Sequence, residues 1–399
     1  MKVLFVHNYY GSEAPSGENH VVEAEMALLK SRGHIIKIFS RYSDEIRAKG
    51  FFGAIQGAMA TPWNPWMRRQ IRLEVNRFRP DVVHIHNTFP LVSPSIFSGI
   101  GTRAARVITL HNYRLFCSSA IPVRRGVVCT DCLDTHSSWP AVSHSCYRSS
   151  RLATLPLAFG IELHRKLGTW TKHVDGFIAL SDFQRSLMVA SGLPEDKVRI
   201  KPNFYPGRPT VLPWSTRAPY VVFVGRLGQE KGLQTLLRAW RLWDGAPELR
   251  LVGDGDLRPD LERMAEGLSV RILGQLTSQK AQAQIAGAQL LILPSECFEG
   301  FPMVIREAFA FGTPVAVSEL GPLPSIVHHG ISGIVFSAAN PNSLFNKVRA
   351  AWSTPGLLEQ LGKGARMAYE AKYSDDVNYK MLMGIYQQAI NVSHIKAGG

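Results

Sequence analysis

The chain has 399 residues, of which 45% are hydrophobic and 19% charged, with a formal net charge of +14. That length supports two ordinary domains with full cores, and the composition describes a globular rather than a disordered chain. No apolar run reaches the ~18 to 20 residues of a membrane span, and residues 1–10 read as a first buried strand rather than a signal peptide. Five cysteines, an odd number, fit a reducing compartment better than a disulfide framework. The expected location is therefore the cytoplasm.

The charge is uneven. Residues 1–210 hold 27 lysines and arginines against 15 acidic residues, a net +12, whereas residues 211–399 hold 18 against 16, a net +2. A basic half implies an anionic partner, such as a phosphate-bearing substrate, an anionic lipid surface or nucleic acid.

In chain order, residues 2–10 are the first strand and 11–17 a small-residue loop. Residues 18–32 place Val21, Val22, Met26, Leu28 and Leu29 on a helical period that Gly33 ends. Strands follow at 34–40, 81–86, 106–111, 176–181 and 198–202. Residues 206–219, rich in proline, are a linker. A second series starts at once, with strands at 220–225, 249–253, 270–273, 290–294, 314–317 and 333–336. Helices lie between them at 232–240, 257–266, 279–286 and 303–311, and a further one spans 343–352. Strands alternating with helices predict an α/β fold of two Rossmann-like, doubly wound domains, 1–205 and 206–374. Ligands bind beyond the C-terminal ends of such strands, so the loops there should carry the chemistry.

Two loops of the second domain do. Arg226 and Lys231 sit in the turn between a strand and a helix, where cations and free helix N–H groups suit a diphosphate. A merely solvated basic turn is the alternative. The strand at 290–294 runs into Ser295-Glu296-Cys297-Phe298-Glu299-Gly300-Phe301-Pro302-Met303-Val304. Pro302 suits a first helical turn, which leaves the amides of Met303 and Val304 for an anion, and Gly300 lets backbone approach a ligand. Glu299 and Glu307 frame this pocket, and two carboxylates beside a phosphate site make sense as acceptors from sugar hydroxyls.

Arg226, Lys231 and Glu299-x7-Glu307 with Gly300-Phe301-Pro302 resemble the retaining GT-B glycosyltransferases of family 4, over essentially the whole chain. His84-x-His86, Thr109-Leu110-His111, Ser181-Asp182-Phe183-Gln184-Arg185, Lys201-Pro202-Asn203, Gly253-Asp254-Gly255 and Leu273-Gly274-Gln275-Leu276 follow the family's order. The resemblance implies two domains facing a central cleft and a terminal helix, 375–392, crossing back to the first domain. It also implies roles. Arg226 and Lys231 hold the donor diphosphate, Glu307 the ribose, and Glu299 the transferred sugar. Amides of Phe301 to Val304 hold sugar and phosphate, and Leu276 offers backbone groups to the base. His111 approaches the sugar from the first domain, and Gly17 gives the phosphates room. The first loop departs from the family, since Pro15-Ser16-Gly17-Glu18 carries one glycine where many members carry a pair.

Retention implies front-face attack, with the leaving phosphate taking the acceptor proton. No cofactor is then required beyond the nucleotide-diphosphate sugar as co-substrate, because side chains and helix amides neutralise the donor. Asp254-Gly255-Asp256 is read as a turn rather than a metal site. Cys117, Cys129, Cys132 and Cys146 include a Cys-x2-Cys, and two flanking thiols could complete a structural zinc site; four unrelated thiols are the alternative. Residues 51–72 mix Phe51, Phe52, Ile55, Met59, Trp63 and Trp66 with Arg68, Arg69 and Arg72, which suits contact with an anionic membrane surface, or an ordinary amphipathic helix. The favoured acceptor is a saccharide or polyprenyl-linked saccharide at the inner membrane face, in cell-surface polysaccharide or glycolipid synthesis. Rival readings are a sugar-nucleotide epimerase of the same fold, for which further acid/base carboxylates are not evident, and a non-catalytic binding relative. No pattern points to nucleic acid, and no GxGxxG follows a strand.

Overall fold

The computed structural model describes residues 1–10 and 17–398. The chain divides into two compact units. Unit 1 comprises Met1–Pro122, Thr130–Pro202 and Asn378–Gly399; unit 2 comprises Val123–Cys129 and Asn203–Val377. The short segment Val123–Cys129, inside the stretch read above as first domain, therefore clusters with unit 2.

Unit 1 is built on a six-stranded sheet in the order β2-β1-β3-β4-β7-β8, all parallel. The strands are β1 (Lys2–Tyr9), β2 (Ile35–Tyr42), β3 (Val82–Ile85), β4 (Ala105–Thr109), β7 (Gly176–Ala179) and β8 (Val198–Ile200). A small antiparallel hairpin, β5 (Val123–Arg124) with β6 (Val127–Val128), lies between them in sequence. β3, β4 and β7 are buried throughout, as strands covered on both faces must be. The helix Asp375–Gly398 enters unit 1 at Asn378, and its Leu382, Ile385, Tyr386 and Ala389 pack on Val3, Phe5, Val82 and Val107 of the sheet.

Unit 2 repeats the plan with β11-β10-β9-β12-β13-β14, again all parallel. Its strands are β9 (Tyr220–Val224), β10 (Glu248–Val252), β11 (Val270–Gly274), β12 (Leu290–Leu293), β13 (Val315–Ser318) and β14 (Gly333–Phe336). The strand order reverses between β9 and β12 here, and between β1 and β3 in unit 1. These are the switch points at which α/β sheets open a crevice for ligands.

The twelve sheet strands lie where the apolar runs predict them, with ends shifted by a residue or two. Three shifts matter. β4 stops at Thr109, so His111 lies in the loop beyond it. The helix Met303–Ala310 starts where predicted, with Pro302 as its cap, and ends one residue short of Phe311. Residues 51–72 form no single helix. They split into Gly50–Ala60 and Pro65–Phe78, the second capped by the Asn64 side chain accepting from the Met67 amide at 3.1 Å. Phe51, Phe52 and Trp66 are 76%, 79% and 70% exposed, so these rings are not packed on the sheet. No described helix is long and apolar enough to cross a membrane.

Candidate active site

The site in unit 2 is assembled from the loops after the adjacent strands β9 and β12. After β9 the chain passes Gly225, Arg226 and the buried Leu227, makes a short turn at Gln229–Lys231, and enters the helix Leu233–Arg241 through Gly232. Gly232 has φ +67°, and a Cβ there would meet the carbonyl oxygen of Pro294 at 2.0 Å. Only glycine lets the two loops approach this closely. The Glu230 carbonyl then accepts from the Glu296 amide at 2.8 Å, and Thr235 Oγ1 donates to Glu296 Oε1 at 2.6 Å.

This locking brings Lys231 Nζ to 2.6 Å from Glu299 Oε1, and Ser295 Oγ donates to the same oxygen at 2.6 Å. The two charged side chains are 19% and 12% exposed. Burial pushes the Glu299 carboxyl up, but the Lys231 ammonium and the Ser295 hydroxyl outweigh it and hold it below the usual carboxylate value. Burial likewise opposes the Lys231 charge, and Glu299 more than compensates, so the ammonium is held above its ordinary value. Cys297, buried two residues before Glu299, has its thiol pushed up to about 12, chiefly by burial, which disfavours the thiolate.

Gly300, Phe301 and Pro302 lead from Glu299 into the helix Met303–Ala310, whose first-turn amides, at Met303 and Val304, have no acceptor within the helix. Phe301 is buried against the Tyr373 ring, 5.6 Å between centroids, which fixes the loop. Glu307 lies one turn further on; burial raises its carboxyl, and the neighbouring Arg306 opposes that. The remaining predicted donor residues are not on this pair. Arg226 is 64% exposed and its guanidinium is 2.5 Å from Glu230. Leu276 follows the edge strand β11, two places from β9. Asp254 behaves as turn chemistry requires: its Oδ1 accepts from the Gly255 amide at 2.8 Å and its Oδ2 from Arg258 at 3.2 Å.

In unit 1 the strand ends β1, β3 and β4 gather histidines. His86 Nδ1 is 2.9 Å from His111 Nε2. Behind them Glu25 and Lys201, both fully buried, form an ion pair at 2.5 Å, and Lys201 also donates to Asn378 Oδ1 at 3.3 Å. His84 is held on both nitrogens, by Tyr386 OH at 2.7 Å and Thr109 Oγ1 at 2.8 Å. Glu25, His84 and His86 bring one ligand-type atom each within 4.8 Å of one another. Lys201 takes one carboxylate oxygen, Oε1, and two hydroxyls take His84, so part of this group is already committed to hydrogen bonds. Burial lowers the imidazoles, His7 to about 4 and His111 to about 3, so the cluster is neutral near pH 7. His111 and His86 line a cavity of about 90 Å³ with Asn112, Arg114 and Trp170. A second cavity, of about 590 Å³, lies between the helices Gly50–Ala60 and Arg151–Lys166 and is lined by Ile55, Leu152, Pro156, Leu157 and Arg148.

Gly17 opens the helix Gly17–Ser31 and is exposed; the rest of its loop, 11–16, lies outside the described residues. Of the four cysteines proposed for zinc, Cys129 falls in unit 2 and Cys117, Cys132 and Cys146 in unit 1. Cys117 Sγ is 3.1 Å from Ser119 Oγ. Sequence reasoning missed Ser295 as a partner of Glu299, though it stands four residues earlier, and missed the Glu25–Lys201 pair, whose members are 176 residues apart and carry no local signal.

Comparison with known proteins places this arrangement. The family model "Glycosyltransferase Family 4" matches residues 17–206, and "Glycosyl transferases group 1" matches 218–354. An uncharacterised glycosyltransferase of Methanocaldococcus jannaschii is 33% identical over 178 residues, 43% of this chain and 45% of that protein. The sulfoquinovosyl transferase of Arabidopsis thaliana is 25% identical over 309 residues, 73% of this chain and 54% of that protein. The matched region thus spans about half the length of these relatives. A solved structure, Anabaena HepE in complex with UDP and glucose, superposes with a TM-score of 0.65 over 97% of this chain and 100% of that one, at 14% identity, a likeness of fold. The sheets have the two-domain GT-B architecture, and the chain belongs to the group 1, family 4 glycosyltransferases.

Proposed function

We infer that this protein is a retaining glycosyltransferase that moves a sugar from a nucleotide diphosphate to a saccharide or lipid-linked acceptor. The observation that carries the reading is the Lys231–Glu299 pair, positioned at the switch point of unit 2 and followed at once by the first-turn amides of the helix Met303–Ala310. Lys231, Arg226 and those amides take the diphosphate charge. Glu299, kept ionised by Lys231, favours positive charge developing at the anomeric carbon, and Glu307 accepts from the ribose hydroxyls. The anomeric C–O bond to the diphosphate breaks, the acceptor oxygen bonds to that carbon on the same face, and a phosphate oxygen takes the acceptor proton. HepE, named above with UDP and glucose, supports the donor class.

Unit 1 supplies the acceptor side. His111 is assigned to a sugar hydroxyl. The 590 Å³ cavity is of a size that holds a small ligand, and exposed Phe51, Phe52 and Leu152 stand on the two helices that form it. An apolar cavity with Arg148 in its lining suits a hydrocarbon chain with a phosphate head, and the basic excess of the first half suits an anionic surface. The test is titration with UDP, GDP, ADP and their hexose conjugates. Binding of one nucleotide series, lost in Lys231→Met, followed by transfer with unchanged anomeric configuration, is expected. Binding of none, or an inverted product, overturns the reading.

A further inference from the structure

Glu25 and His86 have atoms that the network leaves unanswered. Glu25 Oε1 is committed to Lys201, and its Oε2 has no hydrogen-bond partner among the described residues; neither has His86 Nε2. Both residues are buried, and the two atoms face each other at 3.6 Å. A carboxylate can only accept, so a protonated nitrogen opposite it is attracted and a lone pair is repelled, the more so where water is excluded. His86 therefore carries its proton on Nε2. It cannot rotate away easily, because the Phe5 ring lies nearly parallel to it, 13° between planes and 5.3 Å between centroids.

With Nε2 protonated, His86 Nδ1 is an acceptor. Its neighbour at 2.9 Å, His111 Nε2, must then be the donor. A neutral imidazole with Nε2–H has its lone pair on Nδ1. The reverse tautomers would set two lone pairs against each other beside Glu25, or two N–H groups between the rings. We propose that Glu25, acting through His86, fixes the tautomer of His111 so that its Nδ1 is a hydrogen-bond acceptor for a sugar hydroxyl. Glu25 and His86 are positioning residues, and Lys201, 2.5 Å from Glu25 Oε1, is the carboxylate's buried counter-ion. The hydroxyl assignment rests on the glycosyltransferase reading above; the tautomer does not.

The tautomer is read directly by two-bond ¹H–¹⁵N correlation spectra of ¹⁵N-histidine-labelled protein, assigned with His111→Gln and His86→Gln. Wild-type protein at pH 7 should show both His86 and His111 as the Nε2–H form. Glu25→Gln alone leaves Lys201 buried without a counter-ion, so the informative variant is Glu25→Gln with Lys201→Met, which removes both charges. In it His111 should lose its single tautomer and show an averaged or Nδ1–H pattern. Turnover with the nucleotide sugar identified in the binding screen should fall at least tenfold while donor KM changes less than threefold. An Nδ1–H His111 in wild-type protein overturns the proposal, as does an unchanged His111 pattern in the folded double variant. Failure of the donor screen, with the tautomers as stated, counts against the transferase reading and leaves this one standing.

Discussion

Replacing Lys231 with methionine keeps the stem and removes the charge that Glu299 needs. Glu299 is 12% exposed and keeps the Ser295 hydroxyl, so the variant buries a carboxylate that has lost its lysine partner. Losing one partner of a buried pair costs about 3 to 5 kcal/mol, and the Ser295 contact argues for the lower end, roughly 3 kcal/mol. The pH dependence gives a sharper test. In wild-type protein Glu299 is held below its ordinary value of 4.5, so its contribution is present above that value and lost as pH falls through the lower folded value. Without Lys231 burial is opposed mainly by the Ser295 hydroxyl and Arg226, so the folded value rises, and protonation on acidification relieves part of the penalty. The deficit of Lys231→Met should therefore shrink between pH 7 and pH 4.5. Glu299→Gln should also destabilise. The double variant should be less destabilised than the sum of the two by about 2 kcal/mol, as for residues in contact. Urea unfolding is followed by hydrogen exchange of the buried strands Tyr220–Val224 and Leu290–Leu293, which lie in unit 2. A deficit equal at both pH values, together with additive single variants, would refute the reasoning.

With the donor charge met by Arg226, Lys231 and helix amides, as proposed, turnover should survive EDTA; complete dependence on magnesium would overturn this. The four-thiolate reading predicts about one zinc per chain, lost in Cys129→Ser/Cys132→Ser; zinc-free protein by elemental analysis removes it. His7, buried and lowered to about 4, resists protonation in the folded state while the unfolded chain takes up the proton below about 6.5. Stability should thus fall as pH drops from 6.5 towards 4, by up to about 3 kcal/mol for this residue, and an unfolding midpoint in urea constant from pH 7 to 5 would contradict it. Binding to anionic but not neutral liposomes is expected, weakened by salt and by neutralising Arg68, Arg69 and Arg72; equal, negligible partitioning into both would remove the membrane claim.

What the sequence makes legible follows the physics of each element. Leu290–Leu293 and Tyr220–Val224 are uninterrupted apolar runs because both faces of a parallel strand are covered, and such runs are visible without a structure. The helix Arg151–Lys166 gave no comparable signal, since Pro156 stands inside it and Leu152, Leu155 and Phe159 face outward at 83%, 43% and 50% exposure. The hairpin Val123–Val128 is too short for a period. At the site, Lys231 and Glu299 were each legible from their loops and the family resemblance. Their direct pairing was not, because it depends on the approach of Gly232 to Pro294 across 62 positions of chain. His84 and His86 stood out as a motif, but what they do depends on Glu25, Lys201 and Tyr386, which only the fold brings beside them.

The same packing bears on where the basic excess acts. Within unit 1 the deepest cations are cancelled: Lys201 by Glu25, and Arg106 by Asp175, which accepts from Nε at 2.8 Å and Nη2 at 3.0 Å. The histidines of the interior are neutral. The surplus is consequently on the surface, and the helix Pro65–Phe78 concentrates it, with Arg68, Arg69, Arg72 and Arg77 exposed, Arg79 exposed at its cap, and Glu74 engaged by Lys37 at 2.5 Å. A field from such a surface reaches about 8 Å at physiological salt, enough to attract a phosphate group in solution or in a bilayer. The arginines alone do not distinguish the two. The preceding helix, Gly50–Ala60, bears on the choice, since its Phe51 and Phe52 are 76% and 79% exposed. Exposed phenyl rings and a row of exposed guanidinium groups are the features that the proposed lipid-borne acceptor would use, acyl chains beneath anionic heads, and the liposome measurement decides between it and a soluble one.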